Sequence, residues 1–203
     1  MKQNQTKQIV TLGITLSLYC IIAALALSVT YSVTLPQIQL QQKKATEESM
    51  KSIYPDAISF TLCTDNEQNP IFHNQVIDNC ITLDCIYEGR DQTNLLLGYL
   101  VKGSSLGYGG PIVFIYGLDL DDTIHSVSII EHSETPGLGA NVIKDHFLNQ
   151  FKGKLTSDAF LVKQDITPIT ASTITSKALS EGIKKSVTYV RENITELTNE
   201  NEN

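Results

Sequence analysis

Ile112-Val113-Phe114-Ile115-Tyr116 and Ile124-His125-Ser126-Val127-Ser128-Ile129-Ile130 are two runs rich in β-branched and aromatic residues, joined through Asp119-Leu120-Asp121-Asp122. Such side chains pack well on a pleated surface, and short acidic side chains suit a tight turn, so the stretch predicts a β-hairpin. Working outward, shorter β-like runs precede it at Ser59 to Leu62, Ile81 to Tyr87 and Leu95 to Val101, separated by Asp, Asn and Gly. After it the apolar spacing changes. Val142, Ile143, Phe147 and Phe151 predict a helix from Asn141 to Phe151 that ends at Gly153. Ala178, Leu179, Ile183 and Val187 form the stripe of a last helix from about Thr175 to Val190. Strands followed by segregated helices imply an α+β fold with an antiparallel sheet and flanking helices, not a doubly wound sheet.

The 203 residues allow one ordinary domain and an appendage. Charged residues are only 18% of the chain, below the roughly 25% usual for soluble domains. The deficit lies at the N-terminal end. From Ile9 to Leu35 there are 27 residues without a charge, whereas a bilayer core needs about 20 as a helix. A cleaved signal peptide is the alternative, with Ala24-Leu25-Ala26 resembling a cleavage site. Its apolar region would run about 7 to 15 residues, and here the pattern continues through Val29, Tyr31, Val33 and Leu35, which favours an anchor. Lys2 and Lys7 precede the segment, so the positive-inside rule puts the following domain outside the cytoplasm. Without those two lysines, 13 basic face 22 acidic residues, a charge of −9 from Pro36 onward. That excludes a nucleic-acid binder, which needs a basic stripe, and a domain lying flat on anionic lipid.

Cys63, Cys80 and Cys85 fall in the outer region, and Cys80 with Cys85 is the nearest pair for a disulfide in an oxidising compartment. Metal binding has no support, since no Cys-x-x-Cys spacing or fourth clustered ligand accompanies them. His125 lies inside a strand run and His146 on a polar helix face, positions that fit structural or solvated roles. Neither Gly-x-Ser-x-Gly nor Gly-x-Gly-x-x-Gly occurs, so serine hydrolase and nicotinamide chemistry have no support.

Three stretches remain. Gly107-Tyr108-Gly109-Gly110-Pro111 enters the hairpin and Glu134-Thr135-Pro136-Gly137-Leu138-Gly139 leaves it, so both lie at one sheet edge, where backbone can closely approach a flat ligand. Either could also be an ordinary turn. The hydroxyl-rich stretch Thr167 to Ala178 leads into the last helix. It reads either as an N-cap or as an anion site, because free N–H groups and the helix dipole favour both.

Taken in order, Gly-Tyr-Gly-Gly-Pro-Ile at 107–112, Glu-His-Ser-Glu-Thr-Pro-Gly-Leu-Gly at 131–139 and Thr-Ala-Ser-Thr-Ile-Thr-Ser at 170–176 resemble the FMN-binding subunit family of RnfG (also called RsxG) and NqrC. The resemblance runs from about residue 8 to 190 and includes the membrane helix. It implies FMN joined by a phosphoester to Thr173, the acceptor of a (Ser/Thr)-Gly-Ala-Thr motif in which Thr170 takes the first place. The sequence departs at Ala171 for Gly, Ser172 for Ala and Thr167 for a usual Asp. The resemblance further implies Thr175, Ser176 and Lys177 near the phosphate, with Gly109, Gly110, Glu134, Thr135, Gly137, Leu138 and Gly139 near the ring. An ApbE-type flavin transferase would mature the protein, and its partners would be other membrane subunits of an Rnf complex that couples electron transfer to ion movement. No residue is expected to perform acid–base catalysis. The expected plan is a short cytoplasmic N-terminus (1–8), a transmembrane helix (9–35), a linker helix (36–57), an FMN-binding domain (58–190) and a disordered polar tail (191–203). The expected location is the cell inner (cytoplasmic) membrane, single-pass, with the soluble domain facing the periplasm or cell exterior. The alternatives are the NqrC subunit of a sodium-translocating NADH:quinone oxidoreductase and a flavin-free anchored interaction module.

Overall fold

The computed structural model describes the backbone of residues 2–64 and 68–200 and the side chains of residues 10–64 and 68–193. Helix α1 (Lys2–Ile53) is continuous, including Pro36. This differs from a transmembrane helix and a separate linker helix meeting at residues 35 and 36. A proline removes one helical hydrogen bond, and good helix formers such as Gln, Lys, Glu, Ala and Met follow it, so the helix resumes. Upstream, Thr30, Ser32 and Thr34 turn their hydroxyls back onto carbonyls four residues earlier, at 2.8–2.9 Å, which hides polar groups in an apolar segment. The helix is long and apolar enough to cross a membrane, and it stops two residues before Pro55. By compactness the chain divides into residues 1–44 and 45–203, so the last turns of α1 belong to the folded domain.

That domain is built on a six-stranded, all-antiparallel sheet: β1 (Ser59–Leu62), β2 (Gln75–Asp78), β3 (Ile81–Arg90), β4 (Leu96–Leu106), β5 (Pro111–Asp119) and β6 (Ile124–His132). The order is β1-β3-β4-β5-β6, and β2 pairs with the 81–83 end of β3 on the same side as β1. The anticipated hairpin is β5–β6, with Phe114 opposite Ile129 and Tyr116 opposite Val127. Both faces of the sheet are covered, and the pleat of β5 decides which residue goes where. Ile112, Phe114, Tyr116 and Leu118 join Leu179, Ile183, Val187 and Val190 of helix α3 (Thr173–Glu200) in the larger core. Ile115, on the other face, packs with Met50, Ile53 and Tyr54 from the end of α1 and with Leu100 of β4. Each such fully buried side chain contributes about 1.5–3 kcal/mol. Gly182 lets α3 come close, since a Cβ there would lie 2.7 Å from the Cβ of Ser105.

Polar contacts fasten the end of α1 to the sheet. The Tyr54 hydroxyl donates to Asp119 Oδ1 at 2.8 Å, His125 Nδ1 lies 3.1 Å from Asp119 Oδ2, and the Tyr54 and His125 rings are 4.6 Å apart. Burial first, then the Asp119 contact, push the Tyr54 hydroxyl well above the usual phenol range. His125 therefore has the structural role that its place in a strand run implied.

Two helical expectations change. The segment 141–151 is a 3-10 turn (Gly139–Ile143) and a short helix α2 (Asp145–Leu148), broken at Lys144, whose backbone is extended (φ −76°, ψ 141°). Val142, Phe147 and Phe151 are nevertheless buried, whereas Ile143 is 47% exposed, so two turns bury three of the four residues whose spacing pointed to one helix. Helix α3 begins at Thr173 rather than Thr175 and runs to Glu200, into the stretch expected to be disordered; once packed over four turns, a helix adds each further residue at little cost. Residues 201–203 lie outside the described residues.

All four cysteines are free thiols. Cys80 precedes β3 and Cys85 lies within it, so an extended strand separates them by roughly 16 Å. A disulfide needs Cα atoms within about 7 Å. Burial, then the neighbouring Glu88 and Cys85, push the Cys63 thiol up to about 12. In the native protein, N-ethylmaleimide should therefore label exposed Cys80 well before Cys63, with intact mass showing no disulfide; equal rates at the two sites would contradict this packing.

Candidate functional site

The two glycine-bearing loops and the start of α3 do meet, and the residue that joins them is Glu134. Only 5% exposed, it accepts hydrogen bonds at Oε1 from the backbone N–H of Tyr108 (2.7 Å) and Gly109 (3.2 Å). At Oε2 it accepts one from the Thr175 hydroxyl (3.0 Å). A carboxylate with three donors beside a helix N-terminus is a stable arrangement for a buried anion. The glycines make room for it. A Cβ at Gly107 or at Gly139 would collide with the Glu134 carboxylate, and one at Gly109 would meet the Ser133 carbonyl. Gly137 has φ +78° with open space around it, so its glycine serves the turn closed by Leu138 N–H on Thr135 O (3.1 Å). The glycine-rich edge is thus first a socket for a side chain.

Between these loops and α3 lies a cavity of about 450 Å3, lined by Tyr108, Glu134, Thr135, Leu138, Gly139 and residues 171–175. Its volume is in the range of small-molecule sites. Among the described residues, no Lys, Arg or His is in that lining. Tyr108 and Ile174 stand 73% and 61% exposed at its rim, an apolar boundary that water does not favour.

The stretch 170–176 is explained by backbone geometry. Ala171 adopts φ +61°, in the left-handed region where glycine is favoured and alanine costs about 1 kcal/mol or more. Thr173 follows as the first residue of α3, with its side chain exposed. The first intrahelical bond runs from Ser176 N–H to Ser172 O at 3.0 Å, so the N–H groups of Thr173, Ile174 and Thr175 precede it. Ser172 is 6% exposed, lines the cavity, and its hydroxyl has no hydrogen-bond partner among the described residues.

The structure thus brings Thr173, Thr175, Glu134, Thr135, Leu138 and Gly139 to one cavity. Thr170, Gly109, Gly110 and Gly137 are near in sequence but do not line it. Ser176 is fully buried; its hydroxyl donates to Ser172 O (2.9 Å) and accepts from Ile169 N–H (3.1 Å), so it ties the preceding loop to the first turn and does not face a ligand. The Thr175 hydroxyl is likewise committed to Glu134. Lys177 lies 3.5 Å from Glu181 and lines a different cavity of about 290 Å3, bounded by residues 160–163 and shared with Thr173. Sequence reasoning left Tyr108, Ala171, Ser172 and Ile174 out of the site. Ile174, an apolar residue within a run of hydroxyls, was the available signal.

Comparison with known proteins decides what this arrangement belongs to. Residues 107–188 match the model of the FMN-binding domain family. The G subunit of the ion-translocating oxidoreductase complex of Methanosarcina acetivorans is 30% identical, covering 92% of this chain and 97% of that protein. The chain belongs to this G-subunit family. The G subunit of the proton-translocating ferredoxin:NAD+ oxidoreductase complex of Clostridium ljungdahlii is 29% identical over 93% of the chain, and its counterpart in the Na+-translocating complex of Acetobacterium woodii is 29% identical over 91%. In fold the domain matches the crystal structure of the C subunit of Na+-translocating NADH-quinone reductase from Parabacteroides distasonis, with a TM-score of 0.54 and 22% identity over 77% of this chain and 94% of that one.

Ala171→Gly should raise stability by about 1 kcal/mol, because glycine relieves the left-handed backbone. Gly139→Ala should lower it by about 1–3 kcal/mol, because a Cβ enters the Glu134 socket. Thermal midpoints of both variants in one buffer check the pair, and a stabilising Gly139→Ala would contradict the geometry.

Proposed function

We propose that this chain is the covalently flavinylated, electron-carrying G subunit of an Rnf-type membrane complex that couples electron transfer to ion translocation. The observation that carries this reading is Thr173, an exposed hydroxyl on the first residue of α3, at the edge of a cavity lined by residues of the FMN-binding family match. The residues present fit a flavin mononucleotide. The first-turn amides of α3 favour a phosphoester anion, and Tyr108, Leu138 and Ile174 offer apolar surface to a flat ring. When bound, the flavin supplies the electron chemistry, and the protein supplies position and electrostatics.

The chain's own residues have distinct parts in this scheme. Ala171 turns the backbone so that Thr173 points outward, within reach of an ApbE-type flavin transferase. Glu134 holds the loops 107–110 and 133–139 against α3, so the cavity is formed before any cofactor arrives, and binding spends less free energy on ordering. Helix α1 anchors the domain in the membrane, and Lys2 and Lys7 on its N-terminal side favour a domain facing the periplasm or cell exterior. Acid–base catalysis has no part here, because a carrier needs only to hold its cofactor where partner subunits can reach it.

A covalent flavin survives denaturation and fluoresces on a gel under ultraviolet light. Protein co-produced with the transferase should show this band, Thr170→Ala should keep it, and Thr173→Ala should lose it. A dark wild-type band, or a bright Thr173→Ala band, would overturn the assignment.

A further inference from the structure

Glu134 has a charge whose effect goes beyond holding loops together. It lines the cavity, it is 5% exposed, and among the described residues the lining contains no cation to neutralise it. The N–H groups of Tyr108 and Gly109 and the Thr175 hydroxyl donate to it beside the start of α3, but these are dipoles and bring no counter-charge. In a site of low effective dielectric such a charge is felt far more strongly than at the surface, and it is little screened by salt. We infer that Glu134 is a potential-setting residue: a fixed buried anion, supported by Thr175, that makes the flavin of this site harder to reduce. The inference rests on the reading of the cavity as the flavin site. Its physical basis is that an electron entering the cavity adds negative charge beside one already there, so the reduced form loses stability relative to the oxidised form. A charge next to a flavin ring is among the few levers a protein has on its potential.

The geometry provides two variants with opposite expected signs. Glu134→Gln keeps the shape and can still accept from the two backbone N–H groups, but removes the charge. Thr175→Val keeps the shape of the threonine and removes the hydroxyl proton that partly offsets the charge. Full-length protein, matured with the transferase, is titrated with a reductant and the flavin absorbance followed, with intact mass recording the loading of each sample. The midpoint potential should move to more positive values in Glu134→Gln and to more negative values in Thr175→Val, and both shifts should persist in 0.5 M KCl, on the order of a threefold higher ionic strength than physiological. Shifts of the same sign in both variants would mean that loosening of the loops, not charge, sets the potential, and would overturn the inference. So would unchanged potentials, or shifts that vanish with salt. If Glu134→Gln is not loaded, the sign of the Thr175→Val shift decides alone. Failure of the underlying reading is separate: unloaded wild-type protein in the mass spectrum would remove the flavin itself.

Discussion

The site depends on one buried carboxylate. Glu134 is the point at which three segments distant in sequence, 107–110, 133–139 and the start of α3, are drawn together, through two backbone N–H groups and one hydroxyl. A buried charge left without donors costs several kcal/mol, and the three donors together offset that cost. This also dictates composition. Gly107, Gly109 and Gly139 are glycines because the carboxylate, or the backbone beside it, occupies the space of a Cβ. The cavity is the remaining gap between loops whose distance from α3 is set by that residue.

The sheet supplies the rigidity that such a contact requires. Strand β5 is buried on both faces, with Phe114 and Tyr116 against α3 and Ile115 against the last turns of α1. Its two ends therefore cannot shift independently of either helix. The glycine loops begin and end the β5–β6 hairpin, so they inherit this fixed frame, and α3 is held to the same frame by Leu179, Ile183 and Val187. The last turns of α1 join the sheet through Met50, Ile53 and Tyr54, with Asp119 accepting the Tyr54 hydroxyl at one end of the hairpin.

Elements with strong local patterns were legible in the sequence: the hairpin from its β-branched and aromatic runs, α3 from its stripe, the long apolar helix from its 27 uncharged residues. Strand β2 was not, because Gln75–Asp78 is a four-residue edge strand with little buried surface to leave a pattern. The break at Lys144 was hidden because two short turns bury Val142 and Phe147 as well as one helix would. At the site, the loops and Thr173 could be read from motif resemblance, yet the reason for the glycines could not, since the Glu134 contacts span 25 residues and more. Ala171 was visible as a departure from a glycine, and the left-handed φ of +61° gives that departure its physical meaning. The place of Lys177 depended on the fold of 160–163, which carries no local signal; it lies with Glu181 at the second cavity.

The central claim is that one hydroxyl among several on this segment carries the cofactor. Trypsin should release Gln164 to Lys177 as one peptide, which holds Thr167, Thr170, Ser172, Thr173, Thr175 and Ser176. Fragmentation of that peptide from transferase-matured protein tests the claim most directly. The account predicts the mass of FMN less water on Thr173, the exposed first residue of α3. The same mass on Thr170, Thr175 or Ser176, or an unmodified peptide, would contradict it.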